Sequence, residues 1–117
     1  MPFQPANFLR PCLLLLVAEH PGYGYDLRER LRLLGAGEWD SGTVYRLLNN
    51  LEDEGLVCSW WEESEDGPQR RCYRLTDPGQ SALDEWARQL VEVWRTLETF
   101  LDRHARLREQ HVHSAAT

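Results

Sequence analysis

Residues 40–75 read DSGTVYRLLNNLEDEGLVCSWWEESEDGPQRRCYRL, and this stretch decides the fold. Asp40 or Ser41 can cap the free backbone N–H groups of a helix start. Val44, Leu47, Leu48 and Leu51 then recur at the spacing of one buried helical face. Gly55 supplies a left-handed stop. Beyond it Val57, Ser59 and Trp61 alternate with Cys58 and Trp60, the polar run ESEDGP intervenes, and Tyr73 and Leu75 alternate with Cys72 and Arg74. Gly67 and Pro68 are expected at the tip. A capped helix feeding an Arg-bearing two-stranded hairpin predicts a winged helix-turn-helix, whose helix can fill a DNA major groove while the hairpin reaches the neighbouring backbone.

Working outward, Phe8–Glu19 predicts a helix that tolerates Pro11 in its first turn. It is apolar nearly all round, which predicts burial against both its own core and a partner subunit. His20-Pro21-Gly22 breaks the chain, and Tyr23–Leu34 restarts a helix whose stripe is Leu27, Leu31 and Leu34. Arg28, Arg30 and Arg32 fall mostly outward, as a solvated face or a phosphate clamp. Gly35-Ala36-Gly37 ends this helix, and Glu38-Trp39 is an extended link with the makings of a small first strand. Met1–Asn7, with two prolines, reads as a loose arm.

After the hairpin, Thr76 caps a final helix with Pro78 in its first turn. Leu83, Trp86, Leu90, Val93, Leu97, Phe100, His104 and Leu107 follow a 3-4-3-4-3-4-3 spacing, a heptad seam broadened by Ala87, Trp94 and Leu101. At 1.5 Å per residue about 30 residues extend roughly 45 Å. A core already supplied by three short helices and a hairpin cannot cover that stripe, so dimerisation through this helix is expected, with Leu83, Trp86, Leu90, Val93, Leu97, Phe100 and Leu101 at the interface. The fold class is therefore mainly α with a small β hairpin. Residues 1–77 form the DNA-binding domain, 78–109 the dimerisation helix and 110–117 a flexible tail.

The chain has 117 residues, 42% hydrophobic and 27% charged, which fits one soluble domain. Its longest apolar run, Cys12–Ala18, is too short to span a bilayer, and no secretion signal is visible, so the cytosol is the expected compartment. The net charge of −6 argues against DNA binding, which normally wants a basic face. The acids are segregated, however. Glu52, Asp53 and Glu54 close the central helix, whereas 41–51 carry Arg46 alone, and Arg70, Arg71 and Arg74 lie on the second strand. All thirteen basic residues are arginine. Cys12, Cys58 and Cys72 form no CxxC pair and read as reduced structural thiols, with metal or redox sensing the alternative. His111 and His113 have no thiol or carboxylate at local ligand spacing, so no metal or cofactor is expected. No nucleophile elbow, phosphate loop or HExxH is present, which speaks against an enzyme.

The segments PGYGYDL, GTVYRLLNNLEDEGLV and WEESEDGPQRRCYRLTDPG together resemble the PadR family of bacterial transcriptional regulators, in particular its short-chain branch. The combination of GT-x-Y, LE-x-EGL, GP-x-R and YRLT-x-x-G in one order is specific. The resemblance runs from about Phe8 to Arg103. It implies a homodimeric repressor that binds an inverted-repeat operator in double-stranded DNA. It also implies, for some members, a flat aromatic effector in a cavity at the dimer centre. Two departures stand out: Ser41 occupies a position where proline is common, and Asn49 and Asn50 stand where basic residues are frequent.

On this reading Gly42 and Thr43 offer first-turn N–H groups to a phosphate, with Ser41 beside them. Tyr45 faces away from the buried stripe and reaches phosphate or a thymine methyl, or packs on the wing. Arg46 reads guanine O6/N7, and Asn49 reads adenine or a phosphate. Arg70 and Arg71 bind phosphates or enter the minor groove, or else pair across strands with Glu62, Glu63 or Glu65. Tyr25 adds a backbone contact. Trp86, Leu90, Val93 and Trp94 are the candidate lining of an effector cavity, or simply dimer core. The rival functions are a winged-helix protein-interaction module without DNA binding and a metal- or redox-sensing regulator.

Overall fold

A computed structural model describes residues 7–116; the Met1–Asn7 arm, apart from Asn7, lies outside the described residues. The elements run α1 (Leu9–Glu19), β1 (Gly22–Tyr23), α2 (Gly24–Leu34), α3 (Ser41–Asp53), β2 (Val57–Ser64), β3 (Gly67–Leu75) and α4 (Asp77–Ala116). The chain divides into two compact units, Met1–Asp84 and Glu85–Thr117.

In the first unit the core is made by Leu13, Leu14, Val17, Leu27, Leu31, Val44, Leu48 and Leu51, all essentially inaccessible to water. Helix α1 touches α2, α3 and β3, and this explains its all-round apolar character within one chain. Leu15 is its exposed leucine. The α2 stripe ends earlier than the sequence suggests. Leu27 and Leu31 are buried, but Leu34 is 45% exposed, because it occupies the last helical position before the chain turns away at Gly35. Helices α2 and α3 end in the same way. Ala36 N–H donates to Leu31 O and Leu56 N–H to Leu51 O, across the left-handed residues Gly35 (φ +89°) and Gly55 (φ +79°). Both are Schellman closures, which need a residue without a Cβ penalty at positive φ.

The sheet order is β1-β3-β2, antiparallel throughout. The first strand is Gly22–Tyr23, paired with Tyr73 and Cys72, and not the Glu38–Trp39 link expected from sequence. Trp39 is instead tied into the α2–α3 turn, its indole N–H donating to Ala36 O at 2.9 Å. The hairpin turn is Glu65–Asp66, closed by Ser64 opposite Gly67. Gly67 and Pro68 therefore begin β3 and do not form the tip. Pro68 is tolerated there because β1 pairs only with residues 72–73, leaving one edge of the outer part of β3 free.

Thr76 ties α4 to the α3–β2 turn. Its hydroxyl donates to Gly55 O (2.6 Å) and accepts from Gly79 N–H (3.1 Å), while its N–H donates to Leu56 O (3.1 Å). Gly79 is buried in the first turn of α4.

The second unit is the remainder of α4. The helix continues to Ala116, so residues 110–116 extend it and do not form the expected loose tail. Within this unit Val93 (39%), Trp94 (61%), Leu97 (42%), Phe100 (65%) and Leu101 (62%) are exposed. Trp86 and Leu90 are half-buried, as is Leu83 just before them in the first unit. None of the described helices is long and apolar enough to cross a membrane.

Candidate nucleic-acid interface

Helix α3 presents its start and one whole face to solvent. Asp40 is the N-cap, its carboxylate accepting from Thr43 N–H at 3.2 Å. Hydrogen bonds from Thr43 hold that carboxyl below its usual range. Ser41, Gly42, Arg46, Asn49 and Asn50 are exposed, Thr43 and Leu47 are half-buried, and Val44, Leu48 and Leu51 face the core. The 3.6-residue period thus delivers what the sequence implied: apolar positions inward, and Ser41, Gly42, Arg46 and Asn49 outward. With Asp40 already satisfying Thr43, the remaining first-turn N–H groups and the positive end of the helix dipole lie beside Ser41 and Gly42.

Tyr45 is half-buried. Its ring lies over Gly24, at the start of α2, where an added Cβ would stand 2.7 Å from Tyr45 Cε1 and 3.1 Å from Tyr73 Cε2. Gly24 thus lets the recognition helix, α2 and the wing converge. Of the two sequence-level alternatives for Tyr45, packing accounts for much of the ring.

The three arginines of α2 do not form one solvated face. Arg28 spans the helix-turn-helix, donating from Nε to Trp39 O at 2.8 Å and from a terminal nitrogen to Ser41 Oγ at 3.1 Å. Its charge therefore sits at the start of α3, where sequence reading did not place it. Arg30 donates to Leu16 O and His20 O, neutralising the carbonyl end of α1. Arg32 pairs with Glu29 one turn away. A periodic Arg-x-Arg-x-Arg gives no sign of these three partners, since two of them lie ten or more residues distant.

Arg70 and Arg71 also have different fates, because successive strand residues leave opposite faces of the sheet. Arg70 is exposed and lies 5.3 Å and 5.5 Å from the ring centroids of Tyr23 and Tyr25, donating to Tyr25 Oη at 3.1 Å. Those two rings stack, 5.4 Å apart and 8° from parallel. Tyr23 in turn donates to Glu62, the cross-strand neighbour of Arg70, at 2.9 Å. Arg71 instead joins the hairpin to the end of α3. It meets Glu52 at 2.9 Å and Ser59 Oγ at 3.0 Å, and Ser59 donates to Glu52 at 2.8 Å. Neither cross-strand pairing with Glu62, Glu63 or Glu65 nor a free phosphate arm describes Arg71; its anionic partner, Glu52, comes from α3.

The Ser59 hydroxyl, followed by the Arg71 guanidinium, lowers the Glu52 pKa. A lowered carboxylate contributes stability above its unfolded value of about 4.3 and loses it as pH falls through the folded value. Glu52→Gln is expected to cost about 1 kcal/mol at pH 7, a modest figure because both partners are partly exposed. The difference from the parent should shrink as pH falls below about 4. Thermal melts at pH 7, 5 and 3 check this, and a pH-independent difference would remove the charge from the explanation.

The thiols lie apart from this surface chemistry. Cys12 is buried and its pKa is pushed up to about 11 by that burial, and buried Cys72 is raised for the same reason with Glu62 adding to it. Half-buried Cys58 accepts from Arg74 Nε at 3.2 Å. Thiols raised in this way are poor nucleophiles and poor metal ligands. Among the described residues no group of three or more His, Cys, Asp or Glu side chains is arranged to hold a metal. The side chain of His113 lies outside the described residues.

Helix α2, a Schellman turn, a capped α3 with an outward polar face, and a β-hairpin hydrogen-bonded to the α2–β1 junction define a winged helix-turn-helix. The chain belongs to the PadR-like family of transcriptional regulators, whose family model matches residues 13–85. That is a family of regulators and not of enzymes. A PadR-like transcription factor from Bacteroides fragilis is 33% identical, with a TM-score of 0.68 over 79% of this chain and 88% of that one. A PadR-like regulator from Bacillus cereus is 30% identical, with a TM-score of 0.71 over 80% and 90%. Bacillus subtilis PadR in complex with operator DNA is 25% identical, with a TM-score of 0.64 over 71% of this chain and 48% of its own. The transcriptional regulator Rv3488 of Mycobacterium tuberculosis is 44% identical over 54 residues, 46% of this chain and half of its own.

Proposed function

We propose that this chain is a homodimeric, sequence-specific DNA-binding repressor that docks α3 in the major groove of each half of an inverted-repeat operator. The observation that carries it is the outward face of α3, where Ser41, Gly42, Arg46, Asn49 and Asn50 are exposed beside the Arg28 guanidinium. Arg46 reads a base edge, while Ser41, Gly42 and Arg28 meet phosphate. Arg70, with Tyr25, serves the flanking backbone. That the Bacillus subtilis relative is in complex with operator DNA supports the DNA-binding reading. Dimerisation rests on the second unit: a lone helix exposing Trp94, Leu97, Phe100 and Leu101 needs a partner to bury them, and a second copy supplies the matching seam. Release by a small aromatic effector at Trp86, Leu90, Val93 and Trp94 fits the exposed indole of Trp94.

The hairpin turn, Glu65–Asp66, is acidic, so few phosphates are neutralised and affinity should be confined to low and moderate salt. Selection from a pool of genomic fragments at two salt concentrations, followed by sequencing, is expected to enrich an inverted repeat. Arg46→Ala should weaken binding to that repeat about tenfold to a hundredfold and relax one base position, the value of one good bidentate contact. Arg70→Ala should weaken all sequences alike. Failure to enrich DNA even at low salt would transfer the weight to a protein-interaction module, which the net charge of −6 would favour.

A further inference from the structure

The turn between α2 and α3, residues 35–40, has little backbone bonding to hold it. Gly35 and Gly37 both lie at positive φ, +89° and +103°, and the N–H groups of Gly37, Glu38 and Trp39 meet no backbone acceptor among the described residues. Side chains fix the turn instead. The Trp39 indole N–H returns to the carbonyl of buried Ala36 at 2.9 Å. Arg28 donates from Nε to Trp39 O at 2.8 Å and from Nη1 to Ser41 Oγ at 3.1 Å. One planar guanidinium thus joins α2, the turn and the first residue of α3, and its rigid fork meets both acceptors at once.

The bond to Ser41 also decides what that hydroxyl can do. An oxygen that accepts from a guanidinium turns its own proton away, and among the described residues no acceptor receives that proton. Ser41 is exposed at the start of α3, so its hydroxyl is held there as a donor. The N-cap beside it is an acid, Asp40, which would repel a DNA phosphate. Hydrogen bonds from Thr43 keep Asp40 ionised, and the Arg28 charge acts on it in the same direction. The same charge offsets the repulsion that Asp40 offers to DNA.

We propose that Arg28, beyond the charge it brings to a phosphate, is a positioning residue for DNA recognition: by bridging Trp39 O and Ser41 Oγ it fixes the start of α3 and presents the Ser41 hydroxyl. The strut belongs to the chain with or without DNA; its consequence for recognition rests on the DNA-binding reading. Lysine would keep the charge, but a single ammonium on a flexible stem does not hold two acceptors in one plane. Phosphate contacts set the register of a recognition helix on the duplex. A displaced start therefore weakens the complex that reads bases and spares the one that holds no register.

Arg28→Lys, Ser41→Ala and the double variant are compared on the selected inverted repeat and on a random duplex of equal length. Arg28→Lys should bind the repeat about fivefold to tenfold more weakly, the worth of one hydrogen bond, and the random duplex within about twofold of the parent. Its salt dependence should equal the parent's, since the charge count is unchanged. Ser41→Ala should lose a similar factor, and the double variant should lose no more than the weaker single, because both break one linked contact. Arg28→Lys matching the parent on the repeat, or a double variant whose loss is the product of the singles, would overturn the proposal. Amide hydrogen exchange without DNA tests the strut separately. Thr43 and Val44, whose N–H groups are bonded to Asp40 at 3.2 Å and 3.3 Å, should exchange about threefold or more faster in Arg28→Lys, while Leu48 further along α3 exchanges as in the parent. Unchanged exchange at Thr43 and Val44 would refute the strut, and equal acceleration at Leu48 would reduce Arg28 to a general stabilising contact and refute it too. Local acceleration in a protein that retains no DNA upholds the strut and places the failure with the DNA-binding reading.

Discussion

Gly79→Ala is expected to lower the stability of the first unit by about 3 kcal/mol, the upper range for forcing extra volume into a packed site. An ideal Cβ at Gly79 would lie 1.9 Å from Leu56 O and 2.9 Å from both Leu56 C and Leu75 Cδ1. The obstacle is backbone, held by Thr76 N–H and by the Schellman turn at Gly55, so no rotamer change relieves it. Alanine's better helix propensity returns at most about 1 kcal/mol. For a domain of this size the melting temperature should drop by about 10–20 °C. The matched control is Gly42→Ala, where the nearest atom to a new Cβ is Asp40 Oδ2 at 3.7 Å, an ordinary contact. That variant should melt within a few degrees of the parent. Gly24→Ala should fall between, because its 2.7 Å neighbour is a tyrosine ring that can swing aside. Thermal melts followed by circular dichroism give the ranking. If Gly79→Ala and Gly42→Ala melt alike, the close packing of the first turn of α4 on the α3–β2 turn is wrong.

If two copies pair through α4, as proposed, the double variant Leu97→Glu/Phe100→Glu is expected to abolish dimerisation and, with it, tight operator binding. These residues lie three apart in the seam of α4 and are 42% and 65% exposed in the single chain. Two carboxylates facing their symmetry mates would be desolvated without a partner, which costs several kcal/mol at a buried interface. Light scattering should report a monomer mass where the parent gives twice that value. Affinity for a full inverted repeat should fall by about a hundredfold or more, as the second half-site contact becomes intermolecular, while weak binding to a single half-site persists. A dimeric variant would point to another interface, and a monomer that holds the full operator as tightly as the parent would separate dimerisation from recognition.

Features set by neighbours within a few residues were legible in the sequence. The start of α3 at Asp40–Ser41, its stop at Gly55 and the Thr76 cap all depend on contacts within five residues, and residue type reports those directly; the hairpin faces depart from the expected alternation, with Cys72 buried beside Tyr73 and Trp61 59% exposed. The outward placement of Ser41, Gly42, Arg46 and Asn49 follows from the helical period alone. The heptad spacing of α4 marks an apolar stripe, of which Val93, Leu97 and Phe100 are exposed in the single chain along with the polar residues around them.

Tertiary structure decided the rest, because the partners lie far apart in the chain and several residues of one type compete for them. Two residues, Gly22–Tyr23, became the first strand in place of Glu38–Trp39, since the free edge of β3 lies beside α2. Adjacent arginines on one strand separated, Arg70 to a tyrosine stack and Arg71 to Glu52, because the pleat sends neighbours to opposite faces. Arg28, readable in sequence as part of either a solvated face or a phosphate clamp, lies at the start of α3, and Arg30 at the end of α1. Tyr73 reads in sequence as one more alternating strand residue. Only the convergence of α2, α3 and β3 at Gly24 buries its ring and leaves its hydroxyl without a partner among the described residues.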